Sequence, residues 1–282
     1  MQNAMAKDKI ISIILHIIVI SGAILMIIPL IWMILSSFKT VAEIFQYPPW
    51  GWPENILDFH AYKRLFTEWE FFYWYRNSLI YSISKLVLVL FFTSLAGFAF
   101  AKYRFKGSKS LFILLIGSTL IPFQLIVIPL YVMMTRFNWI NTWQAIVLPW
   151  IAPAFGIFLM RQYILSVPDE MIEASRIDGA TEFRIYWQII LPQIKPALAT
   201  QAIITSIFSW NSLFWPLLML RGESSYTLPV GIVAIAAGGL NEPVPYDMAM
   251  AAGTLASLPF LILFIFLQKS VIGGLTFGAV KQ

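Results

Sequence analysis

Apolar stretches of about 20 residues recur along the whole chain, and this feature limits its fold more than any other. A helix of that length crosses about 30 Å of hydrocarbon. Lipid offers the backbone no hydrogen-bond partner, so such stretches must be helical. Charged residues make up only 12% of the chain, against about 25% in soluble domains. The sequence therefore predicts an all-α polytopic membrane protein.

Six transmembrane helices are predicted within a single domain of residues 1–282. Their approximate bounds are 10–36, 79–101, 111–134, 143–160, 197–220 and 248–269. The first apolar run is longer than the roughly 7 to 15 residues of a signal peptide, and no small-x-small cleavage site follows it. We therefore expect it to remain in the mature protein. Prolines at positions 122, 129, 149 and 153 are expected to interrupt the third and fourth spans.

Lysine and arginine are distributed unevenly over the predicted loops. With the amino terminus in the cytoplasm, the inner segments hold twelve of them and the outer segments six, and Lys85 is left within the second span. The short stretch from Lys102 to Lys109 contains only basic charges. By the positive-inside rule, both termini are predicted to be cytoplasmic, with residues 39–77 and 221–247 as the larger outer segments. The net charge of +5 thus indicates membrane topology and not nucleic-acid binding.

Several kinds of chemistry lack the residues that they need. The chain has no cysteine, and His16 and His60 are too few for a metal centre. No glycine is followed by lysine, so a phosphate-binding loop for ATP is missing, and no set of side chains suggests an enzyme. All fourteen Asp and Glu residues lie outside the predicted spans, which disfavours the alternative of an ion-coupled secondary transporter or channel. Lys85 either reaches the outer interface or lines a pore.

The longest predicted cytoplasmic loop, residues 166–192, carries the signals of a short helix. Ser166 suits an N-cap and Pro168 suits the first turn. Asp169 and Glu170 lie where the helix dipole favours negative charge. Gly179 suits the left-handed conformation that ends a helix. The sequence therefore predicts a short acidic helix on which another protein can dock, although a solvated connector is the simpler alternative.

A second helix is predicted after this turn. Apolar residues recur there at the spacing of one helix face: Phe183, Tyr186, Trp187 and Ile190. We expect that face to lie at the membrane interface and the helix to lead into the fifth span.

One motif in this loop resembles a known element. The segment Glu173-Ala174-Ser175, three residues, Gly179, nine residues, then Ile189-x-Leu191-Pro192 resembles the EAA loop of permeases in binding-protein-dependent ABC importers. Ser175 replaces an alanine of the family pattern with a residue of similar size.

This resemblance implies a type I ABC importer permease fold, in which the loop forms a coupling helix that enters a cleft on a cytoplasmic ATPase. Glu173 is then expected to pair with a basic residue of that ATPase. The residues implied in coupling to the ATPase are Glu173, Ala174, Ser175, Asp178 and Gly179.

Further segments resemble the carbohydrate-uptake branch, in particular the six-span permease of the maltose and glycerol-3-phosphate systems. They are Ile121–Gln124, Ile128–Tyr131, Arg176–Ala180, Trp210-Asn211, Trp215–Leu217 and the tail Gly274–Lys281. That branch usually ends with glycine after the lysine, whereas this chain ends in Gln282. The implied location is the bacterial inner membrane.

The same resemblance implies a complex. Its members are a second permease subunit, two copies of a cytoplasmic ABC ATPase and an extracytoplasmic solute-binding protein that residues 221–247 contact. ATP and Mg belong to the ATPase, and this chain is expected to bind no cofactor of its own.

Four polar or aromatic side chains are candidates for lining a substrate path: Gln124, Trp210, Asn211 and Trp215. The alternatives are polar contacts between helices for the two amides and an interfacial aromatic belt for the two tryptophans. The sequence does not choose among disaccharides, oligosaccharides, alditols and glycerophosphates as cargo.

Overall fold

A computed structural model describes residues 2–48, 50–238 and 244–277, with side chains for 11–48, 50–238 and 244–262. These residues form helices and no strand. The α-helices are α1 (Gln2–Ser36), α2 (Val41–Ile44), α3 (His60–Glu68), α4 (Phe71–Lys102), α5 (Ser108–Gly117), α6 (Phe123–Arg136), α7 (Trp143–Val147), α8 (Ala154–Leu165), α9 (Asp169–Ile177), α10 (Glu182–Ile185), α11 (Leu191–Gln193), α12 (Lys195–Trp210), α13 (Phe214–Met219), α14 (Leu228–Ala237) and α15 (Tyr246–Phe277). Tyr186–Ile190 forms a π-helical turn between α10 and α11.

The chain divides into two compact units. The first comprises Met1–Phe71 and Gly231–Leu263. Within it, the buried carboxylate of Asp247 lies 3.2 Å from Nε2 of His60 and 3.3 Å from Nη1 of Arg64. These contacts attach α3 to the first turn of α15. In contrast, the side chains of α1 from residue 11 onward are mostly exposed, so this apolar surface is available to lipid or to another subunit.

The second unit comprises Phe72–Val230 and Phe264–Gln282 and contains two hydrophobic clusters. One cluster packs α7 and α13 against α4 through residues such as Tyr81, Ile146 and Trp215. The other joins α4, α8 and the loop that follows α8 through Phe98, Met160 and further residues. This second cluster is the platform on which the candidate site is built.

Prolines mark the breaks in two of the predicted spans. The helical pair Ser108–Leu120 and Phe123–Arg136 bends by 103°, and Pro122 is the N-cap residue at that break. The pair Trp143–Trp150 and Ala154–Leu165 bends by 43°, with Pro153 at the corresponding position. Proline lacks an amide hydrogen and disfavours helical geometry in the residue before it, so a helix readily starts anew after it. Pro129, in contrast, lies inside α6 without a break of this kind.

The number of membrane spans stays a prediction. Within the described residues, Ile11–Ser36 and Phe71–Lys102 are long and apolar enough to cross a membrane, and each bent pair is also sufficient if it counts as one span. Leu228–Ala237 and Tyr246–Ile262 are apolar but shorter. The predicted fifth span is divided between α12 and α13 by residues 211–213.

One segment differs from the expectation of an outer loop. Residues 221–247 contain the helix α14, which is apolar along its entire length. At ten residues it is too short to appear as a span in the sequence, and its proline and glycine suggest a loop. Residues 239–243 lie outside the described part of the chain, as does the end of the tail from residue 278.

Glycine allows close contact between helices in the second unit. A β-carbon added to Gly97 of α4 would lie 2.6 Å from the Cβ atom of Met160 in α8. A β-carbon at Gly156 would lie 2.8 Å from Cγ2 of Thr93. Small residues at such crossings let two backbones approach each other in a membrane protein. The absence of side chains at Gly97 and Gly156 therefore lets α8 pack directly against α4.

We expect Gly97→Ala to destabilise the protein by about 1–3 kcal/mol, because the added methyl group overlaps Met160. Gly117→Ala is the matched control, since a β-carbon there meets nothing within 4 Å. Thermal unfolding in detergent measures both effects. Equal unfolding temperatures for the two variants would contradict the close contact.

Candidate coupling site

The loop after α8 begins differently from its predicted start. Pro168 is the N-cap residue of α9, and Ser166 instead ends α8, where its hydroxyl donates to the carbonyl of Tyr163 at 2.7 Å. The prediction of Ser166 as N-cap was therefore wrong. The hydroxyl of Ser166 already has an acceptor in the preceding helix. Pro168, two residues later, favours the start of a new helix. Asp169 and Glu170 occupy the first turn of α9, as expected.

Gly179 ends α9 with a Schellman motif. Its φ angle is +78°, and its amide donates to the carbonyl of Arg176 at 3.0 Å. The next amide, that of Ala180, donates to the carbonyl of Ser175 at 2.9 Å. This pair of bonds is typical of a helix end with glycine in the left-handed region. The predicted role of Gly179 in ending the helix is confirmed.

The helix α9 presents one side to solvent. Glu173, Ala174 and Asp178 are exposed, and Ile177 is 86% exposed. Glu173 makes no ion pair or side-chain hydrogen bond with the described residues. The hydroxyl of Ser175, half-buried, donates to the carbonyl of Met171 at 2.8 Å. This helix thus exposes acidic side chains together with a small one and an apolar one. The carboxylate of Glu173 is free to pair with a cation of another protein.

The opposite side of α9 is attached to the second unit. Ile172 is buried in the cluster with Phe98 and Ile164. At the start of the helix, Nζ of Lys102 donates to the carbonyl of Val167 at 2.6 Å and to the carboxylate of Asp169 at 2.5 Å. This hydrogen bond and the charge of Lys102 lower the pKa of Asp169. The helix is therefore fixed at its beginning and along one face.

An ion pair closes the turn after α9. The guanidinium of Arg176 donates to both carboxylate oxygens of Glu182, at 2.7 and 3.2 Å, and the hydroxyl of Tyr103 donates to the same carboxylate. The bonds from Arg176 and then Tyr103 lower the pKa of Glu182. Burial, followed by its bond to Glu182, raises the pKa of Tyr103 to about 12. Arg176 and Glu182 thus connect the two helices across the glycine turn.

The predicted apolar face of the second helix is divided in the structure. Tyr186 and Ile190 are buried, and the hydroxyl of Tyr186 lies 2.7 Å from that of Ser94. Phe183 and Trp187 are exposed, and their rings stack with centroids 6.2 Å apart. The expectation of one face at the membrane interface was therefore wrong for Tyr186 and Ile190, because these two side chains pack into the cluster with Phe98 and Met160.

The four candidates for a substrate path fall into two pairs. Gln124 and Asn211 are exposed, and Nδ2 of Asn211 donates to the carbonyl of Ile207 at 2.9 Å. Trp210 and Trp215 are buried. Nε1 of Trp215 donates to the carbonyl of Ala145 at 2.8 Å within an aromatic cluster, which favours a structural role for this residue. Their participation in a path stays a prediction.

Lys85 is half-buried between aromatic rings of the second unit. Its Nζ lies 3.3 Å from the hydroxyl of Tyr81 and 6.0 Å from the centroid of Trp150. An ammonium group above aromatic faces is stabilised by their quadrupoles. This geometry places the ammonium group of Lys85 among aromatic side chains of the second unit, and whether it reaches the outer interface or lines a pore stays a prediction.

Some residues of the site were not found in the sequence. The ion pair of Arg176 with Glu182 and the contacts of Lys102 and Tyr103 were missed. Arg176 and Glu182 are six residues apart, across a turn, where no helical spacing indicates a pair. Lys102 and Tyr103 lie more than 60 positions from their partners in the sequence, so only the packing of α4 beside the loop reveals them.

A helical membrane protein with an acidic helix that is packed on one side and exposed on the other has the features of a transport subunit that docks on a separate protein. The chain belongs to the family described as binding-protein-dependent transport system inner membrane component, whose model matches residues 90–275. Members of this family are permease subunits of ABC importers and serve as transport components, not enzymes.

Similar proteins include the permease protein AraQ of an arabinooligosaccharides transport system in Halalkalibacterium halodurans, which is 37% identical over 90% of both chains. The permease protein MsmG of a multiple sugar-binding transport system in Streptococcus mutans is 35% identical over 92% of this chain and 94% of its own. Among solved structures, a bacterial ABC transporter involved in the import of the acidic polysaccharide alginate contains a chain of 26% identity. The TM-score is 0.84, with 93% of this chain and 97% of the other covered.

Proposed function

We propose that this chain forms half of the translocation path of an ATP-driven sugar importer, together with a second permease subunit. The exposed, unpaired carboxylate of Glu173 on a helix that is fixed at its other face carries the proposal. A helix attached in this way transmits force to the membrane helices, whereas a flexible connector would absorb it.

In this proposal, α9 docks in a cleft on a cytoplasmic ATPase, and Glu173 pairs with a cation there. Two ATPase copies bind ATP and Mg and come together around the nucleotide. Their closure moves the docked helices, and the spans change from inward-facing to outward-facing. The rigid connection passes through Ile172 and the Arg176–Glu182 pair to α4 and α8.

The proposed cargo is a short oligosaccharide delivered by an extracytoplasmic binding protein. The names of the relatives from Halalkalibacterium halodurans and Streptococcus mutans support a sugar. The alternative of an ion-coupled secondary transporter or channel is disfavoured by the family and by the predicted spans, which contain no Asp or Glu.

Uptake in proteoliposomes tests the function. The chain is reconstituted with its partner permease, ATPase and binding protein, and radiolabelled arabinooligosaccharides, maltose and lactose are compared with ATP enclosed. We expect uptake of at least one oligosaccharide that stops when ATP is replaced by a non-hydrolysable analogue. Uptake that continues without hydrolysis would support the channel or secondary transporter instead.

A further inference from the structure

A groove of about 710 Å³ lies beside the start of α5 and is lined by cations without any carboxylate. Arg104, Lys109 and Arg161 contribute the charges, and Ser108 and Ser110 contribute hydroxyl groups. The other lining residues are Phe100, Ala101, Tyr103, Phe105, Gly107, Phe112 and Ile113. The volume lies within the usual range for a small-molecule site.

None of the three cations forms an ion pair or hydrogen bond with a carboxylate in the described part of the chain. Lys102, just before the groove, is paired with Asp169, whereas none of the ion pairs involves Arg104, Lys109 or Arg161. Arg161 is held in place, because its Nε donates to the carbonyl of Phe100 at 3.2 Å and its guanidinium lies 4.3 Å from the centroid of Phe112. Three positive charges in one groove repel each other unless an anion lies between them.

The start of α5 adds to this positive field. Gly107, the N-cap residue with φ of +84°, has no side chain that could cover the first amide groups of this ten-residue helix. A helix amino terminus favours negative charge, and here it supplements three side-chain cations.

The apolar part of the groove continues onto an exposed apolar surface. Ile113 is 59% exposed and Leu114 is 69% exposed, where the third predicted span begins. The predicted orientation places Lys102 to Lys109 at the cytoplasmic interface of the bilayer. Cations at this depth beside exposed aliphatic side chains fit a molecule with an anionic head and an apolar tail.

We propose that this groove binds the phosphate headgroup of an anionic phospholipid from the cytoplasmic leaflet, with Arg104, Lys109 and Arg161 around the phosphate and the acyl chains along α5. This proposal rests on the proposed function, in which the segment from Lys102 to Lys109 lies on the cytoplasmic side of the membrane. Tyr103 both lines the groove and donates to Glu182 of the coupling loop, so a bound headgroup lies next to the site that contacts the ATPase.

Lipid titration of the purified complex tests the proposal. The assembled transporter is stripped with a mild detergent, and binding of phosphatidylglycerol and phosphatidylcholine is measured by native mass spectrometry. Arg104→Gln and Lys109→Gln are compared with Lys106→Gln, a control of equal charge in the same loop that does not line the groove. All three side chains are exposed, so we expect the variants to fold.

We expect the wild type to prefer phosphatidylglycerol and each groove variant to bind it about fivefold more weakly. Lys106→Gln should retain the affinity within about twofold, because its charge is outside the groove. Equal losses in all three variants would overturn the proposal in favour of non-specific surface charge. Complete displacement of the lipid by millimolar inorganic phosphate would overturn the lipid as occupant. Lipid binding is measured without ATP, so this result and that of the uptake experiment are independent.

Discussion

Glu173→Ala should reduce ATP hydrolysis by the assembled transporter at least about tenfold, with the permease still folded in the membrane. The side chain is exposed and makes no ion pair or hydrogen bond with the residues that the structure describes, so its removal leaves the fold of α9 unchanged. Truncation of one member of a charge pair buried at an interface costs about 2 kcal/mol or more, which corresponds to roughly thirtyfold in affinity. The loss should therefore appear in docking of the ATPase.

Glu170→Ala is the matched control for this variant. Glu170 is an exposed carboxylate on the same helix, one turn earlier, and it lies outside the motif. ATP hydrolysis and the amount of ATPase that copurifies with each permease should remain near wild type in Glu170→Ala. Equal effects of the two substitutions would show that general negative charge, and not the position of Glu173, determines docking.

Gly179→Asp should be the second severe variant. A side chain at φ of +78° costs about 1 kcal/mol in backbone strain. In the isolated chain a β-carbon at Gly179 meets nothing within 4 Å, so the permease itself should still fold. Against a docked ATPase the added side chain has to displace a partner surface, at a further cost of about 1–3 kcal/mol. We expect copurified ATPase to fall about tenfold.

Gly222→Asp separates backbone strain from docking. Gly222 has φ of +79° and equally open surroundings, but it lies in the predicted outer segment. Thermal unfolding should shift by a similar amount in both variants, while Gly222→Asp should retain its ATPase. Loss of the ATPase from both variants would mean that strain alone explains the effect.

Features that depend on local backbone chemistry could be predicted from the sequence. Gly179 ends α9 because few other residues adopt positive φ angles easily, and Pro122 and Pro153 interrupt helices because they lack an amide hydrogen. The long helices α1, α4 and α15 contain the predicted spans at their positions, since about 20 apolar residues in lipid have no alternative to a helix.

Features that depend on packing between distant segments could not be predicted in this way. The hydroxyl of Ser94 on α4 contacts Tyr186, which is buried in a cluster with Phe98, while the neighbouring Trp187 is exposed. Neither follows from a spacing of three or four residues. The helix α14 was missed because its proline and glycine are typical of loops. Its ten apolar residues are also too few to indicate a membrane span.

Photo-cross-linking from α9 tests the central claim most directly, since the chain has no cysteine and a single new thiol can be labelled selectively. Ala174→Cys carries a benzophenone maleimide in the assembled transporter, and Glu223→Cys, an exposed position in the predicted outer segment, is the control. We predict that light joins the permease to the ATPase from position 174 and not from position 223. No ATPase adduct from position 174, or equal adducts from both, would contradict the coupling role of this loop.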